Sequence, residues 1–350
     1  MEFDQFLENS FVIEKPDISD EKIISALKEH YSIPVVEIEF LPIGNDPSAW
    51  AYRVKAENKH TYFLKIRKVI LNRAGFFVPR FLQDHGMVQV LAPLPTKKQE
   101  LWVALEDFFL ILYPFVDGME AMKIGMTDSL WIELGSVLKR IHQTELPPEI
   151  SHYVTRETFI LKWSTLVQGL HRQVTERSFD DRYQKELAAF WEENIEIIQI
   201  LVERTERLGR LLQQSDLEFV LCHADIHTAN ILVTDEQYMF IVDWDDTLLA
   251  PKERDLMFVL EGNTTQTREE RLFLDGYGKT EMNQLAFAYY RYEWCVQEIG
   301  DFGARIFLSS EVGTSTKQAA VQGFKKLFSR GDVIEAALHT PFEAEQRNRS

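Results

Sequence analysis

The chain is predicted to be an α+β protein of two lobes, an N-terminal antiparallel sheet lobe and a larger helical C-terminal lobe. Three observations predict this. The first 115 residues alternate short apolar segments with turn-rich connections. From about residue 127 onward, apolar residues recur at helical spacing. Within that helical half, LCHADIHTANILVTDEQYMFIVDWDD (221–246) returns to short apolar runs, whose ends carry a dense set of ionisable and amide groups. A strand-rich beginning, a helix-rich remainder and a small hairpin at their junction make an α+β plan.

Residues 19–31, SDEKIISALKEHY, predict a short helix. Ser19 can cap it, Asp20 and Glu21 suit its positive end, and Ile23, Ile24 and Leu27 share an apolar side. VVEIEFLPI, AWAYRVKAE and TYFLKIRKV predict three strands joined by GNDPS and NKH. A helix at about 73–85 is weakened by Gly75 and Pro79, and LWVALE and FFLILYPFV predict two further strands.

In the second half, TDSLWIELGSVLKRIHQ predicts a helix capped by Thr127, with Leu130, Leu134, Val137, Leu138 and Ile141 on one stripe. LPPE stops it. Residues 155–214 predict two helices, the second running from DDRYQKELAAF to RLLQQ. Helical patterns return at about 266–275, 281–309 and 315–330, while EFVLCHA, NILVT and YMFIVDW predict strands. The expected organisation is an N-lobe over 1–115, a C-lobe over 116–340 with a helical core and insertion at 117–215, and a disordered tail at 341–350.

A net charge of −17 argues against nucleic acid and against anionic membrane surfaces. Acids gathered at one site would suit a cationic small molecule, whereas most surface acids only aid solubility. Cys222 and Cys295 are too few for a disulfide framework. The start, MEFDQFLENSF, lacks a basic region of the secretory type, and the longest strongly apolar stretch, FFLILYPFV, is far short of a membrane span. The expectation is a cytoplasmic protein.

His223, Asp225 and Asn230 reproduce the H-x-D-x-x-x-x-N spacing of kinase catalytic loops. Phosphoryl transfer needs a carboxylate at the accepting hydroxyl and oxygen ligands for Mg²⁺ nearby. Asp225 would be the base, and Asn230 and Asp243 the metal ligands. His223 would buttress the loop, since imidazole is a poor partner for a hard cation. His227 reads equally well as a polar loop residue. Cys222, His223 and His227 do not match a standard zinc spacing.

On CHADIHTANILV and FIVDWDDTLLAPKERDLMFV, the chain resembles the aminoglycoside phosphotransferase and choline kinase superfamily of small-molecule kinases, which have a protein-kinase-like bilobal fold. APKERDLMF, LGSVLKRIHQTELP and AYYRYEW resemble its spectinomycin-phosphorylating branch. The resemblance implies an ATP site between the lobes. Lys65 would contact the nucleotide phosphates, and PIGNDPSAW, with Gly44 and Asn45, would cover them. YPFV would be the hinge, with Tyr113, Phe115 and Val116 as backbone donors to adenine, because Pro114 has no N–H. Asp255 would prop the catalytic loop.

The chain departs from the kinase pattern at one place. Kinases pair the strand lysine with a glutamate on the following helix, but no acid stands between Lys65 and Asp84, and Arg73 lies about where the glutamate is expected. Lys65 would then be positioned by phosphates alone or by Asp243.

A cationic acceptor calls for carboxylates and apolar walls. Asp245 and Asp246, with Glu293, Glu298 and Asp301 on the helix of AYYRYEW, are the candidate acids, and Tyr290 and Trp294 the candidate walls. Three functions follow. The first is an ATP- and Mg²⁺-dependent O-phosphotransferase of an aminoglycoside or aminocyclitol. The others are a metabolic kinase of choline, homoserine or a sugar, and a nucleotide-binding pseudokinase without catalysis.

Overall fold

The computed structural model describes residues 15–44, 48–70, 72–160, 162–261, 266–309 and 313–340. The tail predicted to be disordered lies outside them, as does Asn45. Helix α1, Asp20–Tyr31, begins with the predicted cap: Ser19 Oγ accepts from the Lys22 amide. It ends at Ser32, whose left-handed backbone (φ 58°) turns its N–H back onto Leu27 and Lys28 carbonyls.

Strands β1 (Val35–Leu41), β2 (Ala49–Ala56), β3 (Thr61–Arg67), β4 (Val103–Leu105) and β5 (Phe108–Pro114) form one sheet in the order β1-β2-β3-β5-β4. Every neighbouring pair is antiparallel. Side chains on a strand alternate between faces. Leu64, Ile66, Leu110 and Leu112 accordingly meet Ile23 and Leu27 of α1 in one core, while Ile111 packs with Phe76 on the other face. By the same alternation Lys65 and Arg67 leave that first core and point toward the cleft side.

Helix α2, Ala74–Asp84, forms despite Pro79. Its buried face, with Ala74, Val78 and Leu82 in the C-lobe core, outweighs the poor local propensity. Gly75 is there for space rather than flexibility. A Cβ at this position would lie 2.8 Å from the Trp244 carbonyl oxygen, so the backbones of α2 and the segment after Asp243 touch.

The C-lobe continues with β6 (Gly118–Glu120), α3 (Ala121–Ile124), α4 (Asp128–His142) and α5 (Pro148–Ser151). Thr127 occupies the N-cap position of α4 without making a capping bond; its hydroxyl pairs with Ser129 Oγ instead, at 3.0 Å. The region predicted as two helices holds three: α6 (Lys162–Glu176), α7 (Arg182–Glu193) and α8 (Ile195–Leu212). The unpredicted break is Asn194, which leaves helical geometry (φ −113°, ψ 15°) and turns its side-chain nitrogen onto the Phe190 carbonyl at 2.8 Å.

Strand β7 (Val220–Cys222) pairs with β10 (Leu248–Ala250), while β8 (Ile231–Thr234) and β9 (Met239–Ile241) form the predicted hairpin and take β6 as a third strand. Helices α9 (Glu253–Leu256), α10 (Arg268–Tyr277), α11 (Gln284–Phe307), α12 (Thr314–Leu327) and α13 (Val333–Leu338) complete the lobe. Helix α11 runs through its centre, with Phe287, Tyr292, Val296 and Ile299 fully buried. Helices α4 and α10 cross on two glycines. A Cβ on Gly135 would meet the Phe273 carbonyl at 2.0 Å, and one on Gly276 the Ile132 carbonyl at 1.8 Å. Among the described residues no helix is long and apolar enough to cross a membrane.

Candidate active site

The loop leaving β7 is pinned from behind. Asp255 on α9 accepts the amides of His223 (3.0 Å) and Ala224 (2.6 Å), and pairs with His142 Nε2 at 2.9 Å. His142 Nδ1 in turn lies 2.7 Å from the Tyr277 hydroxyl. Ala224 adopts a left-handed backbone (φ 72°), strain of the kind that persists only where surrounding bonds enforce it. Asp255 thus braces this loop through backbone hydrogen bonds.

His223 also holds the loop. Its Nδ1 accepts from the Asp225 amide at 3.2 Å, and its Nε2 donates to the Val242 carbonyl at 3.0 Å. This pattern requires a neutral ring, and burial lowers its pKa in the same sense. Burial alone would raise the pKa of Asp225. His227, whose Nε2 is 3.4 Å from Oδ2, together with Arg254 outweighs it and brings the group to about 2. Asp225 is thus an ionised carboxylate on the wall of a cleft.

Asn230 closes a short 3₁₀ turn, Thr228–Asn230, and its Nδ2 donates to the main-chain oxygen and Oδ2 of Asp225, both at 2.8 Å. With the nitrogen committed, the amide oxygen is the atom left to ligate a metal. The Val242 amide donates to the Asn230 carbonyl at 3.0 Å, which ties the two site loops together just before Asp243. Asp243, like Ala224, has a left-handed backbone (φ 60°). Burial raises its pKa, and Lys65 opposes that rise.

Lys65 Nζ donates to Asp243 Oδ1 at 3.1 Å and to Asp245 Oδ2 at 2.7 Å. Of the two positions left open for the lysine, this matches the one in which Asp243 holds it, and it adds a partner that the sequence did not suggest. Arg67, on the same strand face, donates to the same Asp245 oxygen at 2.6 Å. Arg73 points elsewhere, onto the Trp102 ring.

Lys65, Asp225, His227, Asn230, Asp243 and Asp245 open onto one cleft of about 1810 Å³ between the lobes. Gly44 (φ 107°), Lys65, Tyr113, Pro114, Phe115 and Val116 line its N-lobe end. One hinge expectation needs correction. The Phe115 amide donates to the Thr61 carbonyl at 3.4 Å, extending the β3–β5 pairing, and is not a free donor for adenine.

Residues 38–294 match the family model described as the phosphotransferase enzyme family. The chain belongs to that family. The phosphotransferase is also similar to solved structures. One, spectinomycin phosphotransferase APH(9)-Ia in complex with ADP and spectinomycin, is 31% identical with a TM-score of 0.84, over 93% of this chain and 99% of that one. Amicoumacin kinase hAmiN, in complex with AMP-PNP, Ca²⁺ and Ami, shares the fold at 17% identity and a TM-score of 0.60, over 94% of this chain and 97% of that one. A curated relative, protein StrN of Streptomyces griseus, is 23% identical over 77% of this chain and 79% of its own length. The fold is the protein-kinase-like one, and the reaction class is phosphoryl transfer to an alcohol.

The residues expected to receive the acceptor only partly reach the cleft of the phosphotransferase. Trp294, Glu298 and Asp301 of α11 line it, as does Asp246. Tyr290 does not: although on the same helical stripe, it is one turn earlier and fully buried, covered by Phe159 and Tyr289. Glu293 lies off the cleft and pairs with buried Arg254 at 3.4 Å. The Asp245 carboxylate is taken by Lys65 and Arg67.

Sequence reasoning missed an aromatic wall. The Phe258 ring meets Trp294 edge-on at 5.3 Å and His227 at 5.9 Å, and Trp163 lines the same cleft. His227 stands two positions past Asp225, the one local signal that could have marked it. Burial and the neighbouring Asp301 push Glu298 up to about 8, while Arg305 pulls against that rise and forms an ion pair with Asp301.

Proposed function

We propose that the phosphotransferase transfers the γ-phosphoryl group of ATP to a hydroxyl of a cationic aminocyclitol of the spectinomycin type. One observation carries this reading. A single cleft joins the ionised Asp225, the oxygen donors Asn230 and Asp243, and an acid-rich aromatic pocket ending in Trp294, Glu298 and Asp301. Asp225 would accept the hydrogen bond of the acceptor hydroxyl and take its proton as the new P–O bond forms and ADP departs. Lys65 would hold the nucleotide phosphates. An oxygen-only donor set fits Mg²⁺, which when bound would offset the phosphate charge. The spectinomycin and ADP named for the similar structure support the acceptor class. So does Glu298: a carboxyl held near 8 by burial gains most from a cation brought beside it.

Purified protein with Mg-ATP, tested against spectinomycin, choline, homoserine and simple sugars, checks the proposal. Spectinomycin should accelerate ADP release and gain one phosphate. If only choline, homoserine or a sugar is phosphorylated, the acceptor assignment is wrong.

A further inference from the structure

We propose that Asp245, braced by Arg67, is the positioning residue for Lys65, in the role that the missing helix glutamate plays in other kinases. The inference rests on Lys65 contacting nucleotide phosphates, as read above.

Four observations carry it. Lys65 Nζ is closer to Asp245 (2.7 Å) than to Asp243 (3.1 Å). Arg67, 8% exposed, places a second cation on the same Asp245 oxygen, so this carboxylate is fixed from two sides. The main chain beneath it is also fixed: Asn72 Nδ2 donates to the carbonyls of Asp245 (2.9 Å) and Thr247 (3.0 Å). Finally, α2 carries no acid before Asp84, which pairs with Arg80 at 3.0 Å, and Gly75 brings the helix against Trp244 through backbone.

The charges explain why the arrangement is needed. Lys65 and Arg67 balance Asp243 and Asp245. Without Asp245, Lys65 would have Asp243 as its only acid, and the ammonium would compete for the carboxylate that is to bind metal. Asp245 holds the lysine aside. Because both acids leave the same turn, the lysine is positioned whenever the loop is folded, with no movement of α2.

A double-mutant cycle read by calorimetric binding of Mg-ADP tests this without needing the acceptor. Asp245→Asn alone leaves Arg67 buried beside a neutral amide and can fail to fold, so the paired change Asp245→Asn with Arg67→Met is the working variant. It should weaken Mg-ADP binding about 10- to 100-fold, the range seen when a supporting residue is lost. Lys65→Ala should weaken it similarly, and adding Lys65→Ala to the paired variant should cost nothing further. Additive losses, or wild-type binding in the paired variant, would overturn the proposal. If wild-type protein does not bind Mg-ADP at all, the nucleotide reading fails first and this inference fails with it.

Discussion

The Asp255 carboxylate lies 2.6 Å from the Ala224 amide and 3.0 Å from that of His223, so one buried acid carries the main chain immediately before Asp225, the proposed catalytic base. Removing it by Asp255→Ala leaves two buried N–H groups and the His142 ring without their acceptor. Each unsatisfied group costs about 1–3 kcal/mol, so the loss should reach several kcal/mol. Asp255→Asn keeps one accepting oxygen and should lose clearly less. Urea unfolding of the three proteins measures the order; equal stability of wild type and Asp255→Ala would refute it.

The α4–α10 crossing gives a second stability prediction. A methyl group at Gly276 would overlap the Ile132 carbonyl, a backbone atom that cannot rotate away. Overpacking costs about 1–3 kcal/mol in ordinary cores, and Gly276→Ala should lie at or above the top of that range. Since Tyr277 and His142 pair across this crossing, activity should fall as well. Gly169→Ala is the control: nothing lies within 4 Å of a Cβ there, and on helix α6 it should be neutral or stabilising.

Much of the site was legible because its signals are local. The Asp225–Asn230 spacing and the hairpin leading to Asp243 lie within a few residues of each other. Lys65 was marked by the family resemblance, as the lysine of the third predicted strand, YFLKI. What escaped depends on distant partners. Asp245 finds Lys65 across 180 positions and Arg67 across 178, a pairing that no spacing rule anticipates. Tyr290 and Trp294 share a helical stripe, and only the elements packed over each turn decide that one is core and the other cleft. The helix break at Asn194 has no glycine or proline to announce it.

Glu298 provides a pH prediction with a definite sign. Its folded value of about 8 exceeds the ordinary 4.5, so between these limits the folded protein holds a proton that the unfolded chain lacks. Stability from this group is therefore full at low pH and is lost as pH rises through about 8. Glu298→Gln removes the titration, and its stability relative to wild type should grow from acid to alkaline pH. Binding of a cationic acceptor near neutral pH should release a proton from Glu298, seen as a heat that depends on the buffer's ionisation enthalpy. A pH-independent stability difference would contradict the account.

The most direct test of the central claim is Asp225→Asn, which keeps the shape of the side chain and removes its basicity. Phosphoryl transfer from Mg-ATP to spectinomycin should fall by about 10²- to 10⁴-fold, while Mg-ADP binds within a few-fold of wild type. Transfer at near wild-type rate would show that the proton is taken by another group and that the site is wrongly assigned.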